Sequence, residues 1–193
     1  MKFLLLSILI VVVTSCTKQQ IITTYTIDTK TNTQKIKNSY YKYNTIKIAY
    51  PKGINSMMGR NILFNYQNNQ DAIYQNGIWS NSINRLIMSY IYHTIESSKL
   101  FRNTIDYSSY VKSDYLLESN VYKFYHKVRK DYSKAILSIR FNLIDMRSQK
   151  IVKSKQFDYQ ISTSSKDLTG YIEATQKAFN LLNIDLINWL KKS

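Results

Sequence analysis

The chain has one cysteine, one proline, four glycines and two histidines in 193 residues. A single thiol allows no intramolecular disulfide, so the fold must be held by its core. The four scattered glycines exclude a phosphate-cradling loop and a Gly-x-Ser-x-Gly nucleophile elbow. So little Pro and Gly also leaves no long linker and no glycine-rich second domain. His93 and His126 are too few for a zinc site unless carboxylates contribute, and neither stands in an HExxH spacing. Acids are few, and pairs drawn from them do not make a hydrolytic site. Asp114 and Glu118, if on one strand, would face the same side about 13 Å apart, too far for either arrangement of glycosidase carboxylates. The expectation is a chain with no catalytic residues, no metal, no cofactor and no enzymatic activity.

Long hydrophobic runs are missing too. The one apolar run, residues 3–13, is about half the ~20 residues that a spanning helix needs. It follows the basic start Met1-Lys2 and ends in Val13-Thr14-Ser15-Cys16. That is the layout of a bacterial lipoprotein signal: a basic end, a short hydrophobic stretch, and small residues before the cysteine. A plain secretory signal ending in Ser-Cys is the alternative. On the lipoprotein reading, residues 1–15 are the signal peptide, Cys16 is the lipid attachment site and residues 16–20 form a short tether. Residues 21–193 then form one domain. Each buried methylene of an acyl chain is worth about 0.8 kcal/mol, so several chains on Cys16 give a stable membrane anchor. Thr17 stands where enteric bacteria place an Asp to retain lipoproteins at the inner membrane, which favours the periplasmic face of the outer membrane.

The charge is lopsided, with 27 Lys and Arg against 12 acids, a formal +15. In a cytoplasmic protein this would suggest nucleic acid. In the envelope that reading loses its substrate, and anionic headgroups or an acidic protein remain. The abundance of Lys, Asn, Ile and Tyr also matches the bias of an AT-rich genome.

Several segments read as strands: residues 21–28, 43–50, 61–66, 72–75, 101–107, 115–125, 135–145 and 151–161. Ala135, Leu137, Ile139, Phe141 and Leu143 alternate with Ser138, Arg140 and Asn142, as a sheet with one buried and one wet face requires. Trp79, Ile83, Leu86, Ile87, Tyr90, Ile91 and Ile95 recur at spacings of three and four and predict a helix capped by Ser80 or Asn81. Asp167 caps a closing helix striped by Leu168, Tyr171, Phe179, Leu182, Leu186 and Leu190, with Lys191 and Lys192 at its end. The fold class is therefore α+β, a mainly antiparallel sheet with two amphipathic helices packed on one face.

A block within residues 51–105 resembles the ABC-type transport auxiliary lipoproteins, which include paraquat-inducible protein C and lipoproteins encoded beside MCE-domain lipid transporters. It runs from the turn at Pro51 through Arg60-Asn61-Ile62-Leu63-Phe64-Asn65-Tyr66 to Tyr74 and Trp79, and leaves the helix at Ser97-Ser98-Lys99-Leu100-Phe101. The likeness continues through Tyr115-Leu116-Leu117-Glu118 and residues 135–145. Ser80-Asn81-Ser82 replaces the prolines the family often places after the Trp. The resemblance implies an α+β domain on an outer-membrane lipoprotein, serving an ABC/MCE system that moves phospholipids or other hydrophobic molecules. It implies as partners an ABC permease and ATPase and an MCE-domain protein, the membrane through the lipid anchor, and homo-oligomerisation into rings, with no nucleic acid. A structural or assembly lipoprotein docking on an envelope complex is the alternative from another class.

Two further expectations concern side chains. Trp79 is read as a structural anchor at the start of the first helix. Lys123, Lys127, Arg129 and Lys130, with Lys134, cluster among Tyr122, Phe124, Tyr125 and Tyr132 and form a candidate interface at a hairpin tip, His126 lying in the same segment. The alternative is a solvated hairpin whose charge guards a strand edge.

Overall fold

The computed structural model describes residues 21–28, 35–67 and 70–191. Cys16, its signal and the tether lie outside the described residues.

One strand organises the sheet. β7 (Tyr115–Val128) pairs antiparallel along its whole length with β8 (Ser133–Asp145), which pairs antiparallel with β9 (Lys150–Ser162). On the other edge of β7 three short strands lie end to end, all parallel to it: β2 (Thr45–Ile48), β3 (Lys52–Gly53) and β4 (Asn61–Asn65). β6 (Asn103–Asp106) flanks β2 in parallel. β5 (Asp71–Trp79) runs antiparallel to β4, and β1 (Thr23–Tyr25) lies parallel to β5 at the edge. The sheet is α+β in class, as expected, and its long pairings are antiparallel. The short parallel pairings are a refinement that no local pattern announces.

Alternation dictates which face is buried. Ala135, Leu137, Ile139, Phe141 and Leu143 of β8 are all buried, as are Phe157 and Tyr159 of β9. In β7 the parity changes partway: Leu117 and Val121 point into the core, and so do Phe124 and Val128. A bulge explains the switch, since the register passes from Val121↔Ile139 to Lys123↔Ser138 and leaves Tyr122 without a partner.

α1 (Asn55–Met58) is a single turn that buries Met57 and Met58. α2 (Ile83–Ser98) buries Ile83, Ile87, Tyr90, Ile91 and Ile95, the stripe its spacing predicts. Its N-cap is Ser82 rather than Ser80 or Asn81; Asn81 instead accepts the Ser82 N–H on its side-chain oxygen at 2.9 Å. Trp79 does not open the helix. It closes β5, where its ring is 1% exposed. α3 (Leu168–Lys191) begins under Asp167, whose carboxylate accepts the Gly170 N–H at 3.0 Å. The two long helices meet where the Tyr90 hydroxyl donates to the Phe179 carbonyl at 2.6 Å, with their rings 4.9 Å apart. Trp79, Phe124, Tyr171 and Phe179 lie in one buried cluster between sheet and helices.

Candidate functional site

The basic segment singled out in the sequence lies at one end of the sheet. There the β7–β8 turn, the end of β4 and the connection from β9 to α3 come together. Arg129 is a clamp at this end. Its guanidinium donates to the carbonyls of Asn65 (3.1 Å), Tyr66 (3.0 Å) and Val128 (2.7 Å), and to the Asn65 side-chain oxygen (3.0 Å). Five donors on a rigid plane suit this task, and they tie the β4 end to the β7–β8 turn. Lys130 is exposed at the turn, and its carbonyl accepts from the Lys166 ammonium. Lys123 and Lys127 belong to the face of the sheet away from the helices. Lys127 sits directly opposite Lys134 in the ladder, and the Lys134 ammonium rests 5.6 Å from the centre of the exposed Tyr132 ring. Lys123 lies near Asp158, whose carboxyl is held below its usual range mainly by the Ser138 hydroxyl and the Gln156 amide, with the Lys123 charge helping.

His126 is not part of that surface. It is fully buried, because the bulge at Tyr122 turns even-numbered residues of β7 toward the core. Its ring stacks on Tyr171 at 5.0 Å and its Nδ1 is 2.7 Å from the Tyr74 hydroxyl. Its Nε2 has no hydrogen-bond partner. Burial pulls its pKa down to about 4, with the Asp167 carboxylate pulling the other way. Burial likewise pushes the Tyr74 phenol up to about 12. His93, by contrast, is on the surface beside Glu96, 3.9 Å away.

The opposite end of the sheet carries a groove of 590 Å³ that the sequence did not reveal, because its walls come from separate segments. Tyr110, Val111, Leu116 and Met146 give it apolar surface, and Lys47 and Lys112 give it charge. Asp114 organises it: the carboxylate accepts the Thr45 N–H at 2.8 Å and pairs with Arg147 at 3.2 Å. Those contacts, the Thr45 N–H foremost, hold its pKa below the usual range. Lys47 donates to the Ser109 carbonyl at 2.8 Å and so pins the loop over the groove.

Trp79 packs on Phe124 and Tyr171, with ring centres 5.6 and 6.4 Å away. Among the described residues, no three His, Cys, Asp or Glu side chains form a group able to hold a metal ion. No helix among them is long and apolar enough to cross a membrane.

No protein-family model matches the chain, and no curated protein matches it either. Solved structures do. A Xanthomonas campestris protein, XCC0632, assigned to the family DUF330, has a TM-score of 0.77 at 16% identity, over 88% of this chain and 95% of that one. The protein CT253 of Chlamydia trachomatis, described as hypothetical, has a TM-score of 0.55 at 7% identity, over 78% of this chain and 99% of that one. PelC of Paraburkholderia phytofirmans, described as a dodecamer, has a TM-score of 0.53 at 10% identity, over 81% of this chain and 94% of that one. At such identities these likenesses show a shared fold.

Proposed function

We propose that this chain is a lipid-anchored, non-enzymatic accessory component of an ABC/MCE-type transport system, held at the periplasmic face of the outer membrane. In that role it helps phospholipids or other hydrophobic molecules pass between membranes. The observation that carries the reading is a sequence block with a structural role. The residues that resemble the auxiliary lipoproteins include much of the domain's central seam: Trp79 is 1% exposed, Ser98 0%, Leu100 1% and Phe101 5%, and Tyr74 bonds His126. The lipoprotein signal ending at Cys16 supports the envelope location. Photo-crosslinkers at exposed positions of the lipoprotein, in cells carrying the MCE protein and its permease and ATPase, are expected to trap one of those proteins. Deleting the lipoprotein is expected to slow phospholipid movement between the membranes. Absence of both effects rejects the reading.

A second reading is that several copies assemble on another envelope complex. The fold shared with PelC, itself described as a dodecamer, supports it. Native mass measurement of the detergent-extracted lipoprotein separates a ring from a monomer, and crosslinking to an envelope complex without an MCE protein favours this role.

A further inference from the structure

The direction of one short edge strand relates the anchor to the basic end of the sheet. β1 is parallel to β5, β5 is antiparallel to β4, and β4 is parallel to β7. β1 therefore runs against β7, and its first residue, Thr23, points back toward the end where β7 finishes at Val128. A chain leaving Thr23 backward therefore leaves toward the end of the sheet that carries the β7–β8 turn.

The lengths agree. Thr23 is level with Gly77, one residue from Ile78, which pairs with Asn61; Asn65, at the basic end, is four residues further along β4. That is about 13 Å at the usual rise of a strand. The seven steps from Thr23 to Cys16 span at most about 25 Å. A fully extended chain to Cys16 is thus long enough to pass the level of Asn65 at the basic end of the sheet. Ile21 and Ile22, 84% and 55% exposed, lie on this path and add apolar surface next to it.

The chemistry at that end fits an anionic surface. Lys130 and Lys166 are exposed, and Tyr66 and Tyr132 stand beside them at 46% and 44% exposure. Lys127 and Lys134 face each other directly across the ladder, a like-charge pairing that is unfavourable unless an anion sits over it. None of these four lysines takes part in an ion pair among the described residues. At the far end, in contrast, Arg147 is paired with Asp114.

We infer that the basic end of the sheet, built on Lys127, Lys130, Lys134 and Lys166 with Tyr66 and Tyr132, is the bilayer-facing surface and binds anionic phospholipid headgroups. The inference rests on the lipid-anchor reading for its geometry. The domain then stands with its sheet strands directed away from the membrane and the groove beside Asp114 at the distal end.

The test uses residues 21–193, which contain the buried core of the described residues, from Ile27 to Leu190. Their binding to phosphatidylglycerol-containing vesicles is measured against phosphatidylcholine vesicles. Lys130, Lys134 and Lys166 are changed together to Glu in one variant, and the far-end cations Arg102, Lys112 and Lys150 in another. The first change is expected to weaken binding about a hundredfold, roughly a factor of five per cation, and the second by less than about twofold. Raised salt should weaken the unaltered chain in the same way. Equal losses from both variants, equal binding to neutral vesicles, or no binding at all overturns the inference. The assay needs no acyl chain, so it fails or succeeds independently of palmitate incorporation at Cys16, which tests the anchor alone.

Discussion

The Tyr74 hydroxyl and the His126 imidazole are joined at 2.7 Å, a bond from β5 to β7 that passes over the intervening strand β4. It satisfies one ring nitrogen of a fully buried histidine and leaves the other unpaired. Such a site tolerates the neutral ring and rejects the charged one.

The acid dependence of stability follows from that pair. An unfolded chain protonates His126 near pH 6.5, whereas in the fold its pKa is lowered to about 4. The contribution of the neutral buried ring is complete above pH 6.5 and is lost as pH falls from there toward 4. The slope reaches up to about 1.4 kcal/mol per pH unit. In His126→Phe, which keeps a ring against Tyr171, the melting temperature should fall less between pH 7 and pH 4.5 than in the unaltered protein. Parallel declines in the two proteins count against this account.

Trp79→Ala should cost about 3–5 kcal/mol, as truncation of a fully buried aromatic ring does. Urea unfolding midpoints measure it. An unchanged midpoint would mean that the ring does not carry the contacts to Phe124 and Tyr171.

Gly170 gives a prediction whose sign runs against the general rule. Gly→Ala inside a helix ordinarily stabilises by roughly 0.5–1 kcal/mol. Here a Cβ would lie 2.4 Å from the Ser165 carbonyl oxygen and 2.6 Å from its backbone nitrogen, atoms that cannot step aside without moving the loop. Gly170→Ala is therefore expected to destabilise by about 1–3 kcal/mol, as overpacked sites do. Thermal melting should show a lower midpoint; a raised one refutes the close approach.

Cys16→Ala removes the only thiol of the chain. Metabolic palmitate labelling should disappear and the protein should remain unprocessed or appear in the soluble fraction. Persistent label would place the acyl chain elsewhere.

The sequence was readable where one face of one element decides the pattern. β8 alternates apolar and polar residues from Leu137 to Leu143, and α2 repeats its isoleucines at helical spacing, so both are evident. β7 was harder, since the bulge at Tyr122 moves Phe124 to the face of Val121 and breaks the alternation. The same bulge hid His126, which looked like part of a charged tip and lies in the core. Trp79 fitted the helical spacing by position, although its backbone continues β5. β3 and α1 are not legible in the sequence because Gly53, Met57 and Met58 are held by β7 and the neighbouring core, a tertiary cause with no local sign. At the basic end, the lysines were legible as a cluster, but the clamping role of Arg129 depends on carbonyls of β4 some sixty residues earlier. The groove beside Asp114 depends on Thr45 and Lys47 of β2, Asp114 and Arg147 meeting from three segments, which no sequence window contains.

The end-to-end docking of β2, β3 and β4 along β7 has a kinetic consequence. β4 also pairs with β5 and β2 with β6, but the edge that unites all three is β7, so Ile46 must wait for Tyr115, Lys52 for Asn120 and Phe64 for His126. The β7–β8–β9 meander, whose pairings are close in sequence, can form early and offer an edge to the earlier half of the chain. Long-range parallel pairing of this kind slows folding and prolongs the exposure of strand edges. The β4–β5 and β2–β6 pairs can thus form as separate pieces, and they become one sheet only when β7 arrives to join them.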